Sequence, residues 1–158
     1  MFRKMRRFKQ QISKEKCKEL LQKLPRGVLS VLGDDDYPYG LPINFFYDET
    51  ENKIYFHCAK EGHKIDALRK HDKASLCIFD EGYRKDGDWA LNINSVIVFG
   101  KIRFVEEVEE TIEKVRMLGL KHYPTPESVE EEIKKAASRV QLLEMTIEHV
   151  TGKLVNES

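Results

Sequence analysis

The sequence predicts a mainly β domain with α-helices at its periphery, built as a closed or nearly closed antiparallel barrel of six strands. The first observation is length and composition, because 158 residues with 41% hydrophobic content suit one domain with a substantial core. The second is a series of short apolar runs separated by glycine- and aspartate-bearing turns, which is typical of strands. The third is the short connections between most of these runs, which favour antiparallel neighbours.

The first half of the domain is predicted to contain one helix and three strands. Ser13 fits the N-cap of a helix, since Cys17, Leu20 and Leu24 follow at helical spacing before a proline and a glycine. Strands are predicted over 28–32, 39–47 and 53–59. The polar segment 48–52 separates the last two, so they are predicted to pair as a hairpin.

The second half alternates strands with short helices and ends on a long strand. Gly62 is predicted to open a short helix, and Gly100 indicates a bulge or sharp bend within a long strand. The other predicted elements are strands over 74–79, 95–105 and 139–150, and acidic helices over 106–121 and about 126–137.

The distribution of charge excludes several classes of protein. Lys plus Arg and Asp plus Glu number 27 each, so the molecule as a whole does not attract nucleic acid. Positive charge is concentrated at the N-terminus, which divides the chain into a basic arm over 1–12 and a single domain over 13–155. A solvated arm is predicted, and salt-sensitive DNA binding is the alternative. No apolar run is long enough for a membrane span or a secretory signal.

Cysteine and histidine content favours a reduced, metal-free protein. Cys17, Cys58 and Cys77 show no CxxC spacing, which argues against a disulfide framework and a structural zinc site and suits a cytoplasmic location. His57, Cys58 and His63 lack a convincing fourth ligand, so no metal is predicted. The remaining histidines are expected on the surface: His71, His122 and His149.

The segment 55–66 carries the strongest pattern for a binding site. A strand ends in His57 and Cys58, a turn containing Gly62 follows, and Lys64 comes at the start of a helix. The free N–H groups of a first helical turn attract anions, and a lysine beside them adds charge. The segment therefore predicts a phosphate site with Lys64 as its anchor, although a solvated lysine is the alternative.

Several segments in order resemble one family of flavoproteins. They are 27–33 (GVLSVLG), 37–45 (YPYGLPINF), 54–64 (IYFHCAKEGHK), 95–101 (SVIVFGK) and the late 147–153. Together they resemble the pyridoxamine 5'-phosphate oxidase-related FMN-binding proteins, in particular the nitroimidazole-resistance (Nim-like) branch. The resemblance extends from about residue 18 to residue 154.

The resemblance implies a split β-barrel that forms a homodimer and binds FMN between its subunits. In the cofactor site it implies that 42–45 line the ribityl chain and one side of the ring, and that His63 and Lys64 contact the phosphate. His57 and Cys58 would lie near the phosphate at the strand end, and Ser95 would approach the flavin from the other subunit. The implied cofactor-binding residues are Pro42, Ile43, Asn44, Phe45, His57, Cys58, Ala59, His63, Lys64 and Ser95. His57 is the one candidate catalytic residue, as a hydrogen-bond donor near the flavin.

Departures from the family pattern narrow the expected activity. Cys58 stands where serine is common, Pro42 stands where the true oxidases carry a phosphate-binding arginine, and their C-terminal Arg-x-His motif is absent. A flavin-dependent reductase of small acceptors such as nitroaromatics is therefore expected rather than a true oxidase. The alternative is a non-catalytic flavin carrier or sensor, with the ring covered by Trp89 or the arm. Haem and the deazaflavin F420 remain alternatives to FMN.

Overall fold

A seven-stranded antiparallel sheet, curled into a split barrel, forms the body of the molecule. The computed structural model describes residues 1–123 and 125–156. The strands are β1 (Arg26–Leu32), β2 (Pro38–Asn44), β3 (Phe46–Asp48), β4 (Lys53–Ala59), β5 (Lys73–Phe79), β6 (Asn92–Val105) and β7 (Val140–Asn156). Their order across the sheet is β2-β1-β5-β6-β7-β4-β3, so β2 and β3 are its two edges. The predicted class, mainly β with peripheral helices, is confirmed.

The strand predicted over 39–47 divides at Phe45, which is why the sheet has seven strands rather than six. The Phe45 side chain is fully buried in the barrel core. Its carbonyl oxygen accepts hydrogen bonds from Lys121 Nζ and His122 Nε2, both at 3.0 Å, instead of continuing a strand ladder. The chain thus crosses from one edge of the sheet to the other at Phe45, and the predicted hairpin is confined to β3 and the start of β4.

The predicted bend at Gly100 is confirmed by a register shift in the β6–β7 ladder. Phe99 pairs with His149, whereas Gly100 pairs with Ile147, so one residue of β7 bulges. A Cβ at position 100 would overlap the backbone carbonyl of Thr146, and the close approach therefore requires glycine. The closing strand continues to Asn156, beyond the predicted end at 150.

Four α-helices of the described residues surround the barrel, at the predicted places with small shifts at their ends. They are α1 (Lys14–Lys23), α2 (His63–Lys70), α3 (Val108–His122) and α4 (Pro126–Ala136). The Ser13 hydroxyl caps α1 by accepting the Lys16 N–H at 3.1 Å. Gly62 precedes α2 with a φ of +130°, a conformation that favours glycine. Among the described residues, no helix has the length and apolar character needed to cross a membrane.

A buried ionic network fastens α3 to the outer face of the sheet. Lys114 is 6% exposed, and its Nζ lies 3.1 Å from Asp48 Oδ2 on β3 and 4.0 Å from Glu51 Oε2. The Tyr55 hydroxyl connects this group to Glu144 on β7, at 3.3 Å. This network keeps α3 over the edge of the sheet formed by β3 and β4.

Candidate functional site

A group of basic side chains surrounds the junction between β2 and β3. Lys121 and His122 end α3 and bind the Phe45 carbonyl, while Arg26 at the start of β1 donates from Nε to Asn44 Oδ1 at 3.2 Å. His57 near the end of β4 and Lys64 in the first turn of α2 complete the group. We call these five residues, Arg26, His57, Lys64, Lys121 and His122, the cation cluster.

Burial and neighbouring positive charge lower the pKa of three members of the cluster. Burial lowers the pKa of His57, and the positive charges of His122 and Lys64 lower it further. Burial also lowers the pKa of His122, an effect opposed by its bond to the Phe45 carbonyl and reinforced by Lys121 and Arg26. Burial lowers the pKa of Lys121 to about 8. The neighbouring positive charges thus disfavour the protonated forms of the two histidines.

No member of the cation cluster forms an ion pair with a carboxylate of the described residues. Acids do border the same cavities: Glu132 lines the small cavity beside His57, and Asp48 and Glu49 line a surface cavity with Lys121. An anion placed among the five side chains would favour their protonated forms, which is a property expected of a phosphate site.

His57 and Cys58 face different spaces, because successive residues of a strand point to opposite faces. Cys58 packs against the barrel core, and its Sγ lies 3.8 Å from the Gln141 carbonyl. Burial raises the pKa of the Cys58 thiol, although Lys64 opposes the effect, so the group is a neutral thiol at pH 7. His57 borders a cavity of about 70 Å³ beneath α3 and α4. The positive charge of Lys64 lowers the pKa of both side chains.

The segment 42–45 offers two side chains to a ligand on the outer face of the sheet. Pro42 is exposed and pairs with Val28, and Asn44 lies on the same face as Pro42. Ile43 instead packs against the core, and Phe45 is fully buried. A ligand passing over this strand would therefore meet Pro42 and Asn44 through their side chains.

His63 and Ala59 lie beside Lys64 on the connection from β4 to α2. The His63 Nε2 accepts the Asp34 N–H at 3.2 Å, and its ring lies 4.2 Å from that of Tyr39. This bond holds the turn between β1 and β2 against α2 and leaves Nδ1 as the ring's donor. Ala59 is exposed at the end of β4.

Ser95 lies apart from the cation cluster within one chain. It is half-buried on β6, opposite Phe79 and Lys153. It borders a cavity of about 180 Å³ together with Arg3 and Met5 of the N-terminal arm. The fold does not bring Ser95 to the other predicted residues of the same chain, and its role across a subunit interface stays a prediction.

Sequence reasoning missed Arg26, Lys121 and His122 as members of the cluster. The expectation that His122 lies on the surface is wrong, since its ring is half-buried against Phe45. His149 is also half-buried, with its ring 4.5 Å from that of Phe2, whereas His71 is exposed as expected. Basic residues at the end of an acidic helix are normally attributed to the helix dipole, so the pattern gave no reason to assign them to a site.

The curled antiparallel sheet with its peripheral helices places the chain in the class of split-barrel proteins. The chain belongs to the family described as pyridoxamine 5'-phosphate oxidase, whose model matches residues 13–154. The family expected from the sequence is therefore confirmed. No curated protein sequence matches the chain.

Solved structures of low sequence identity share the fold. One is a proposed 5-nitroimidazole antibiotic resistance protein from Bacteroides thetaiotaomicron, with 18% identity over 92% of this chain and 87% of that chain and a TM-score of 0.78. Another is an FAD-binding protein from Mesorhizobium loti, with 17% identity over 92% and 96% and a TM-score of 0.67. A third is an FAD and haem binding protein from Mycobacterium smegmatis, with 18% identity over 94% and 74% and a TM-score of 0.74.

Proposed function

We propose that the chain is an FMN-binding flavoprotein that passes electrons from reduced flavin to a small oxidised acceptor such as a nitroaromatic. The observation that carries the proposal is the cation cluster, which forms no ion pair among the described residues and contacts Asn44 of β2 through Arg26. Membership of the family supports a flavin, and the similar structures of FAD-binding proteins agree with it. When bound, the flavin supplies the redox chemistry, while the protein supplies binding and orientation.

The first turn of α2 fits the phosphate of FMN. Lys64 belongs to this turn, and within the described chain no side chain caps it. Its N–H groups are therefore available to an anion, and the helix dipole adds to the attraction of Lys64. Lys64 would hold the phosphate, with His63 beside it.

A homodimer is proposed because the outer face of the sheet presents uncharged rows across five strands. One row is Pro42, Val28, Cys77, Ile97 and Thr151, and the next is Gly40, Ser30, Ser75, Phe99 and His149. Ile97 is 39% and Phe99 41% exposed, a high exposure for apolar side chains in the middle of a sheet. A second copy on this face would cover both rows and bring its Ser95 towards the site.

His57 is proposed as the residue that donates a hydrogen bond to the acceptor. Its burial and its cationic neighbours lower its pKa, so the ring is neutral at pH 7. A neutral imidazole can donate a hydrogen bond from one nitrogen and accept one at the other, which suits a group that orients the acceptor and stabilises negative charge that develops on it.

A flavin carrier or sensor is the second candidate, and the N-terminal arm favours it. The arm is attached to the outer face through Phe2, whose ring stacks on those of His149 and Phe99. Arg3 and Met5 border the cavity beside Ser95, so the arm covers part of the proposed interface. Trp89, in contrast, is 71% exposed.

The first experiment is an absorbance spectrum of protein loaded with FMN and freed of excess. The wild-type protein is expected to retain the flavin bands. Lys64→Ala should weaken FMN affinity at least tenfold, because it removes a charge-assisted contact with the phosphate. Lys70→Ala is the matched control, since it removes the same charge from an exposed position of α2. Parallel loading with FAD, F420 and haem tests the alternatives. A protein that retains no FMN would contradict the proposal.

Turnover separates the reductase from the carrier. Dithionite-reduced protein is mixed anaerobically with a nitroaromatic, and the return of oxidised flavin is followed. Fast re-oxidation, slowed by His57→Gln in protein that is fully loaded with FMN, is expected of a reductase. Re-oxidation no faster than that of free reduced FMN would favour the carrier, and acceleration on deleting residues 1–9 would attribute the protection to the arm.

Sedimentation velocity tests the dimer. Ile97→Lys places a charge in the centre of the uncharged face and is expected to yield a monomer with weakened FMN binding. Tyr37→Lys is the control, because Tyr37 is 74% exposed in the turn before β2 and lies off this face. A wild-type protein that sediments as a monomer with full FMN affinity would refute the shared site.

A further inference from the structure

A cleft of about 520 Å³ lies between α3, α4 and the ends of β4, β6 and β7, and none of the residues predicted to bind flavin lines it. Its volume is in the range of small-molecule sites. The floor contains the buried residues Val105, Thr111 and Gln141. The walls are apolar side chains of the two helices, including Ile112 of α3 and Ile133 of α4.

The cleft stays open because α4 is only lightly packed. Val129 is the residue of α4 that is fully buried, and it lies in the first half of the helix. The second half, with Ile133 and Ala137 beyond it, faces the cleft instead of a packed neighbour. Val108 borders the same space and is 71% exposed. Apolar walls exposed to water gain free energy when an apolar ligand covers them.

The charges around the cleft favour an anion. Lys60 and Lys134 line it and are exposed, and no ion pair in the described part of the chain includes either of them. Lys134 also lowers the pKa of Glu130, after the larger effect of Arg116, which lies 2.6 Å from that carboxylate. Glu106 is the one acid among the described lining residues, so two positive charges face one negative charge.

We propose that this cleft binds a small amphiphilic carboxylate, with its apolar body between α3 and α4 and its charge between Lys60 and Lys134. The site is separate from the proposed flavin site and does not depend on it. The cleft shares Ile133, Ala137 and Val140 with the small cavity beside His57, so a bound ligand extends towards that histidine. Occupation would also cover Val108 and the side of α4 that borders the cleft.

The test uses two fluorescent probes that share an apolar body and differ by one charge. 1-Anilinonaphthalene-8-sulfonate is the anion, and N-phenyl-1-naphthylamine is its neutral counterpart. Titration of the full chain is expected to show one saturable site that prefers the anion. The double variant Lys60→Glu, Lys134→Glu should weaken binding of the anionic probe about tenfold and binding of the neutral probe less than about twofold. Lys135→Glu is the matched control, since it changes the same charge next to Lys134 but outside the cleft.

A second variant locates the probe. Ile112→Trp fills the cleft and should weaken both probes, with circular dichroism and thermal unfolding confirming the fold. Equal effects of Lys134→Glu and Lys135→Glu, or unchanged binding to Ile112→Trp, would overturn the proposal. Equilibrium dialysis completes the test: displacement of the anion by FMN, together with its loss in Lys64→Ala, would assign the probe to the flavin site and also overturn it. Binding that persists in protein unable to hold FMN would support the cleft independently.

Discussion

Replacing Lys114 by methionine is expected to lower the free energy of unfolding by about 3 kcal/mol, because it leaves a buried carboxylate without its cation. Lys114 is 6% exposed and lies 3.1 Å from Asp48, whose side chain is 13% exposed. Its ammonium also lies 4.9 Å from the centroid of the Tyr55 ring. Methionine keeps the length and apolar stem of the side chain, so the change isolates the charge.

The magnitude follows from what Asp48 retains. Breaking a fully buried ion pair costs roughly 3–5 kcal/mol. The lower end applies here, because Asp48 also accepts the Glu51 N–H at 3.3 Å and keeps some contact with water. For a domain of this size, about 3 kcal/mol corresponds to a decrease in Tm of roughly 6–12 °C.

The loss of stability caused by Lys114→Met should depend on pH in a definite direction. Burial alone would raise the pKa of Asp48, but the hydrogen bonds from Lys114 and from backbone N–H groups outweigh it and lower that pKa. A lowered carboxyl pKa gives stability that is present above the unfolded value of about 4 and is lost as the pH falls through the folded value. The difference between wild type and Lys114→Met should therefore narrow below about pH 4.

The assay is urea denaturation, in which the free energy of unfolding should fall with urea concentration at the same slope in each variant. Lys101→Met is the control, because Lys101 is exposed. A double-mutant cycle with Asp48→Asn separates the pair from other contacts of Lys114. A loss smaller than about 1 kcal/mol, or a coupling free energy under about 0.5 kcal/mol, would refute the argument that this ion pair fastens α3 to the sheet.

Two other stability predictions concern the bend and the junction of the sheet. Gly100→Ala should lower the free energy of unfolding by more than about 2 kcal/mol, because the added Cβ overlaps the Thr146 carbonyl. Gly40→Ala is the control and should lower it by less than about 1 kcal/mol, because the nearest atoms to its Cβ lie at 3.3 Å. Equal urea midpoints of the two variants would contradict this prediction. Lys121 has a pKa lowered to about 8 by burial, so the folded state holds fewer protons than the unfolded state between about pH 8 and 10. The free energy of unfolding should therefore rise with pH across that window. Lys121→Met should reduce this rise, as measured by thermal unfolding at each pH.

The helices and most strands could be predicted because their determinants are local. Ser13 caps α1, and the glycine at position 100 marks the bulge. The division at Phe45 could not be predicted, because the apolar pattern of 39–47 is continuous. What ends the strand there is a pair of hydrogen bonds from Lys121 and His122, which are far away in the sequence.

Only part of the candidate site could be predicted from the sequence, for the same reason. Lys64, His57 and Cys58 belong to one local segment, so their neighbourhood could be predicted from a strand that ends before a helix. Their orientation could be deduced only from the sheet, which turns Cys58 into the core and His57 towards α3 and α4. Arg26 joins the cluster through Asn44, a contact set by the register of β1 and β2.

The class of fold and the family could be predicted without coordinates, because periodicity, turn residues and ordered motifs are properties of short stretches of chain. The split of the barrel at Phe45 and the membership of Lys121 and His122 in the cation cluster depend on how distant segments pack. The same holds for the cleft beneath α4. The physical reason is that burial and charge proximity arise when distant segments pack, and no local pattern encodes which cations are left without a carboxylate partner.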